Sequence, residues 1–186
     1  MIKINAPLTR EDARILRCGD RVLLSGVIYT ARDAAHLRLA ETIKKGGELP
    51  FKIKDAVIYY TGPAPKKPGE IIGSAGPTTS YRMDPYSPAL IKLGQTGMIG
   101  KGIRAPKVVD AMRSHGAVYF GAIGGAGALL ARCVTVCEVV AYHDLGTEAI
   151  HKLEVSNMPL TVVIDSLGND LYRIGREEYL RRRDKA

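Results

Sequence analysis

The spacing of hydrophobic and polar positions changes several times along this chain, and each change marks an element. Thr9-Arg10-Glu11-Asp12 sets a hydroxyl three residues ahead of an acid. This capping-box variant, with Asp in place of the usual Glu, predicts a short helix through Leu16 that Gly19-Asp20 stops. Arg21 to Tyr29 alternates poorly but is rich in Val, Leu and Ile, as a strand covered on both faces would be. Thr30-Ala31-Arg32-Asp33 repeats the capping device, with Thr30 as cap and Asp33 reaching back. Ala35, Leu39 and Ile43 then line one side of a helix that runs to about Lys45 and ends at Gly46-Gly47. Ala56 to Tyr60 is a β-type run, Gly62 to Gly69 a turn-rich connection too short for a domain linker, and Ile71-Ile72 resume the sheet.

Beyond residue 87 the alternation of strand, loop and helix becomes regular. Pro88 to Leu93 is a short helix, and Gly97-Met98-Ile99-Gly100 a short apolar strand with Lys101 at its end. Ala105-Pro106 opens a helix with an apolar face of Val108, Val109 and Met112, ended by His115-Gly116. Ala117 to Ile123 is a strand, Gly124-Gly125-Ala126-Gly127 a loop, and Ala128 to Arg132 a short helix. Val134 to Tyr142 and Leu160 to Asp165 are further strands, the latter joined to Leu171 by a Gly168-Asn169 turn. Strands mixed with helices mean an α/β fold. At 186 residues the chain fits one domain, 1–186, with a basic helical tail from about 174.

Composition narrows the core and the partners. With no Trp and two Phe the core must be aliphatic, which leaves the nine Tyr for the edges of sheets and pockets. A net charge of +8 asks for an anionic partner or an anionic small substrate. The basic residues are scattered rather than striped and no nucleic-acid motif accompanies them, which disfavours a nucleic-acid or basic protein-binding module. Three cysteines, Cys18, Cys133 and Cys137, form an odd set with no signal peptide ahead of Met1, so the expected setting is a reducing cytoplasm. Cys133-x-x-x-Cys137 lacks zinc-knuckle spacing and a second pair, and buried strand thiols explain it better. No run is long and apolar enough to span a membrane, so no membrane partner is expected.

Candidate chemistry gathers in Gly76-Pro77-Thr78-Thr79-Ser80-Tyr81-Arg82-Met83-Asp84-Pro85-Tyr86. Gly76 permits backbone angles closed to other residues and Pro77 stiffens the turn, so hydroxyls are presented next to the Arg82 guanidinium, a fork suited to a carboxylate or phosphate. The plainer alternative is that Thr78, Thr79 or Ser80 caps a helix begun at Tyr81. Arg32 opposes a helix dipole at an N-terminus, which costs a few tenths of a kcal/mol unless it binds an anion or pairs with Asp33 or another acid. Lys101 lies between glycines, either in a plain turn or where a backbone can approach a ligand closely. The 124–127 loop lacks the spaced glycines and following Lys-Ser/Thr of a nucleotide site, so tight strand-to-helix packing is its better account.

Taken together, Thr-Ala-Arg-Asp-Ala-Ala-His at 30–36, Gly-Pro-Thr-Thr-Ser-Tyr-Arg-Met-Asp at 76–84, Gly-Lys-Gly at 100–102, Gly-Ala-Ile-Gly-Gly at 121–125, Leu-Gly-Thr-Glu-Ala-Ile at 145–150 and Asp-Ser-Leu-Gly-Asn-Asp at 165–170 resemble the β subunit, or carboxy-terminal domain, of class I iron–sulfur fumarate hydratases. The resemblance covers nearly the whole chain. It implies a swivelling β/β/α domain, a mixed sheet with flanking helices, and an active site completed by a cysteine-bearing α subunit in a hetero-oligomer, with self-association left open. That α subunit would carry a [4Fe–4S] cluster with one open iron, and this chain would bind no cofactor of its own. The resemblance also assigns Arg32, Arg82 and Lys101 to the carboxylates of a C4-dicarboxylate substrate, and Thr78 to the proposed base that takes a proton from the substrate carbon. The reaction implied is reversible hydration of fumarate to (S)-malate. L(+)-tartrate dehydratase and mesaconate-hydrating relatives share the Gly-Pro-Thr-Thr-Ser loop, the Arg-Asp and the Gly-Lys-Gly, so those motifs mark the reaction class rather than the substrate. The stretches at 145 and 165 resemble fumarase more closely, and the lysine loop is one residue shorter than in some fused forms.

Overall fold

Seven strands and six α-helices make up residues 1–184, the part of the chain that the computed structural model describes. The chain is mixed α/β, as expected. In order it runs β1 (Ile2–Ala6), α1 (Arg10–Ile15), β2 (Arg21–Thr30), α2 (Asp33–Lys44), β3 (Val57–Tyr59), α3 (Ser87–Lys92) and β4 (Gly97–Gly100). It continues through α4 (Pro106–His115), β5 (Val118–Gly121), α5 (Gly127–Ala131), β6 (Val134–Ala141), β7 (Ile150–Ile164) and α6 (Leu171–Arg183).

The sheet order is β1-β2-β3-β4-β5-β7-β6, and a further pairing of β2 with β7 closes β2, β3, β4, β5 and β7 into a small barrel. Leu24 pairs with Ile4 of β1 on one side and sits opposite Met158 of β7 on the other, whereas Tyr29 pairs with Ile58 of β3. One edge of β2 therefore carries β1 along its first half and β3 at its end. β7 is shared in the same way, pairing with β6 over residues 150–155 and with β5 over residues 161–164. β2 to β5 run parallel, so their carboxyl ends lie side by side.

Alternate residues of the barrel strands enter two different cores. Val57, Tyr59, Ile99, Val118 and Phe120 point inward with Leu24, Ile28 and Val162. Ile58, Tyr60, Met98 and Tyr119 point outward under Ala35 and Leu39 of α2, Leu90 and Ile91 of α3, and Val108 and Met112 of α4. Cover on both faces is why these strands read as continuous apolar runs rather than as alternation. Tyr59, Tyr60 and Tyr119 are fully buried, which corrects the expectation that tyrosines keep to edges. Their hydroxyls reach Ala75 O, Ser87 Oγ and Gly102 O, so burial leaves no polar atom stranded.

Several local expectations are corrected here. The Thr9 hydroxyl does cap α1, accepting from Asp12 N at 3.1 Å. Thr30 does not cap α2; it is the last residue of β2, its hydroxyl accepting from His151 N at 3.0 Å. Ile71-Ile72 form a bend and no strand, because residues 62–73 have no ladder partner in the sheet. Leu160 to Asp165 is the end of the fifteen-residue β7 rather than a separate strand. β1 is an unforeseen element, too short and too polar on its outer face to stand out. α6 is exposed along its length and begins at Leu171; Lys185 and Ala186 of the basic tail lie outside the described residues.

Candidate functional site

The carboxyl ends of β2, β3 and β4 present the residues singled out above. The 76–84 loop lies across these ends as an improvised strand: Thr78 N donates to Tyr60 O at 2.7 Å and Ser80 N to Lys101 O at 2.9 Å, with Thr79 bridged in parallel to Lys101. Ser80 is buried with its hydroxyl 2.9 Å from the Tyr119 hydroxyl. A Cβ on Gly100 would meet Ser80 Oγ at 2.0 Å, so only glycine lets the loop cross β4 so closely.

This placement decides the capping alternative. A single 3₁₀ turn, Ser80–Met83, follows the loop; its cap residue is Thr79, which makes no side-chain capping bond. The Thr78 hydroxyl instead accepts from Arg82 Nη2 at 2.5 Å. A guanidinium donating to a hydroxyl oxygen favours negative charge on that oxygen.

Arg32 and Arg82 are held by two acids. Asp33 lies between them, its Oδ2 3.4 Å from Arg32 Nε and its Oδ1 3.3 Å from Arg82 Nε. Glu148, in the 3₁₀ segment His143–Glu148, places Oε1 3.3 Å from Arg32 Nε and accepts from Ala34 N at 2.9 Å through Oε2. It thereby supplies the α2 cap that Thr30 does not, from 114 residues away. Arg32 runs over Gly62, where a Cβ would sit 3.0 Å from its Cδ and 2.9 Å from Thr147 O, so any side chain there would push the guanidinium aside. Lys101 stands on the neighbouring strand end, linked to the loop through backbone, with Nζ 3.6 Å from a Cβ built on Gly124.

The structure thus brings Thr78, Arg82 and Arg32 into one chain of contacts and sets Lys101 beside it. Asp33 and Glu148 were not singled out as site residues. The sequence offers Asp33 as a cap or as a partner for Arg32, and the pairing is found, but nothing in sequence ties Asp33 to Arg82 or Glu148 to a position 116 residues earlier. Asp84 leaves the site: it pairs with fully buried Arg104 at 2.6 Å and accepts from Ala105 N at 2.6 Å. Arg104 lies between the Tyr60 and Tyr119 rings, 5.3 and 5.1 Å from their centroids, and bonds Ser87 Oγ at 2.8 Å. The loop is pinned from beneath by this network. The glycine loop at 124–127 likewise packs, Gly127 O accepting from Ala75 N at 3.1 Å.

The cysteines stand apart from this site. Cys18 bonds Val163 O at 3.4 Å, and burial, then the nearby Asp165, push its thiol up to about 11. Burial also raises Cys133 and Cys137. Among the described residues no three His, Cys, Asp or Glu side chains converge as a metal site. The three thiols are therefore not grouped as the ligands of one iron–sulfur cluster would be.

The comparisons with known proteins settle the family. The Fumarase C-terminus family profile matches residues 1–175. The chain belongs to the fumarase C-terminus family. Within it, the chain is 42% identical over 176 residues to the anaerobic class I fumarate hydratase of Escherichia coli, covering 92% of this chain and 32% of that protein. Fumarate hydratase 2 of Leishmania major is 41% identical over 83% of this chain and 28% of its own length. The chain thus spans about a third of the fumarate hydratases it matches. It spans 88% of the putative L(+)-tartrate dehydratase subunit β of Methanocaldococcus jannaschii, at 42% identity over 89% of this chain. The family expected from the motifs is the family found.

His36, the last residue of the 30–36 motif, is buried, with Nδ1 3.0 Å from Arg32 O and Nε2 without a partner. Burial, helped by nearby Arg104, lowers its pKa from 6.5 to about 4 against the pull of the Arg32 carbonyl and Asp33. An unfolded chain takes up a proton near 6.5 that the folded chain refuses until about 4. This contribution to stability is therefore whole above about pH 6.5 and is lost as pH falls toward 4, by up to roughly 3 kcal/mol. Denaturant titrations across that range should show the slope in the wild type and a much flatter profile in His36→Leu. An equal slope in both would assign it elsewhere.

Proposed function

We propose that this chain is the carboxylate-binding half of a hydro-lyase that interconverts fumarate and (S)-malate. The observation that carries the reading is the run of contacts from Glu148 through Arg32, Asp33 and Arg82 to Thr78 at one end of the barrel. A C4 dianion needs cations at both ends, and three are supplied here: Arg32 just after β2, Lys101 just after β4, and Arg82 on the loop laid over β3 and β4. Among the described residues, neither Nη of Arg32 nor Nη1 of Arg82 has a hydrogen-bond partner in the chain, so both forks keep donors for a ligand. Thr78 Oγ, deprotonated, takes a proton from the carbon beside one carboxylate, and the hydroxyl on the neighbouring carbon leaves as hydroxide, so that proton and hydroxide together make the one water lost; hydration is the reverse.

The four side chains are half-exposed, so this chain offers one wall of a pocket rather than a closed one. A second, cysteine-bearing polypeptide would complete it and hold the [4Fe–4S] cluster that the resemblance implies, whose open iron supplies Lewis-acid chemistry when bound. A second reading, L(+)-tartrate dehydration, draws on the near-complete overlap with a separate tartrate dehydratase β subunit. The test is to co-express the chain with candidate α subunits and follow fumarate hydration and L(+)-tartrate dehydration by the isolated complex under anaerobic conditions. Turnover of fumarate that needs both polypeptides supports the first reading. Preference for tartrate selects the second, and full activity of the chain alone removes the need for a partner.

A further inference from the structure

The two guanidinium groups are tied to each other through one side chain. Asp33 directs one carboxylate oxygen at each arginine, and both contacts fall on Nε. Nε is the inner donor of the guanidinium, and no Nη of either arginine hydrogen-bonds the acid among the described residues. The elements joined this way are independent: Arg32 ends the β2–α2 connection, while Arg82 belongs to the loop laid over β3 and β4. The Asp33 contacts are the only salt bridges joining the two among the described residues.

Stability does not account for these pairs. Arg32, Asp33 and Arg82 side chains are 26%, 36% and 37% exposed, and ion pairs of that exposure contribute little to folding. The Arg82 Nε hydrogen is itself unsatisfied, aligned too poorly with Asp33 for a hydrogen bond although the charges are 3.3 Å apart. A pair kept at that cost acts on position rather than on folding energy. Glu148 backs the arrangement by holding the same Nε of Arg32 at 3.3 Å and accepting from Ala34 N at the start of α2.

We propose that Asp33 is a positioning residue that sets the spacing of the Arg32 and Arg82 guanidinium groups, so that a ligand with two carboxylates is bound across both. This rests on the reading of the two arginines as carboxylate donors. Removing the Asp33 charge leaves each guanidinium intact and charged but frees their relative placement. Only a ligand that spans both should register the loss, because a monocarboxylate needs one arginine at a time.

The experiment is steady-state kinetics of the assembled enzyme with Asp33→Asn, inhibited by succinate as a two-carboxylate probe and by butyrate as a one-carboxylate probe. For Asp33→Asn, KM for the dicarboxylate substrate is expected to rise about tenfold with kcat changed far less. Succinate inhibition should weaken by a similar factor while butyrate inhibition hardly moves. Asp33→Glu keeps two acidic oxygens on a longer arm, so it should fall between the wild type and Asp33→Asn, and it serves if Asp33→Asn fails to assemble. A merely structural role for Asp33 would lower thermal stability and weaken both inhibitors alike, which overturns the proposal. So would a KM within twofold of wild type in both variants. Parallel Arg32→Met and Arg82→Met variants separate the two levels: if they change kinetics and the Asp33 variants do not, only the spacing role falls. If the arginine variants are also silent, the carboxylate reading falls with it.

Discussion

Thr78→Ala is expected to cut turnover by about 10²–10⁴-fold in the assembled enzyme, the usual worth of general acid–base catalysis, with little change in melting. The loop will stay in place without the hydroxyl, because its backbone is held by Tyr60 O and by the bridge to Lys101, and Ser80 and Asp84 anchor it below. What disappears is the oxygen that Arg82 donates to at 2.5 Å. An ordinary hydroxyl is a very weak base, and a cation bonded to its oxygen is the feature of this chain that makes the role credible. Thr78→Ser keeps that oxygen and should retain much more activity than Thr78→Ala. The capping role weighed from sequence predicted the reverse, a loss of stability with turnover intact, and the cap it required is absent. Near wild-type turnover in Thr78→Ala, assembled with its partner and with full iron content, would remove Thr78 from the chemistry.

Arg82→Met should weaken transition-state stabilisation by about 2–4 kcal/mol, read as the fall in kcat/KM, because it strips charge-assisted bonds from a substrate carboxylate. Arg32→Met should show a similar loss. The two differ in what else they disturb: Arg82 also bonds the Thr78 hydroxyl, so its variant should lower kcat as well as raise KM, whereas Arg32 touches Asp33 and Glu148 and should act mainly through KM. Kinetics within threefold of wild type for either variant would take that arginine out of the site. Iron content of the complex should be unchanged in both, since on this reading the cluster ligands belong to the second polypeptide and neither arginine is one.

Much of this protein is legible in its order of residues. The strands β3 to β5 stand out because both of their faces are covered, which gives short unbroken runs of Val, Ile, Tyr and Met, whereas β2 is fully buried only at alternate positions, with partial cover between. Helix boundaries such as Thr9, Pro106 and Gly116 are local, decided by one hydroxyl, one ring or one left-handed residue, and so appear where expected. The family is also readable, because its motifs sit at the strand ends where backbone crossings such as Gly100 against Ser80 permit few substitutions.

The tertiary structure alone decided which guanidinium donors are free. Arg32 and Arg104 give the same local signal, a cation just ahead of a helix, yet Arg104 is enclosed between two tyrosine rings and neutralised by Asp84, while Arg32 keeps both Nη groups unpaired in the chain. Thr30 and Glu148 trade roles in the same way: the hydroxyl nearest the start of α2 turns into the β2–β7 ladder, and a carboxylate from the far end of the chain takes its place as the cap. Local sequence states which donors and acceptors exist, but a hydrogen bond or ion pair goes to whichever partner the closed barrel brings within about 3 Å, and that distance is unrelated to separation along the chain.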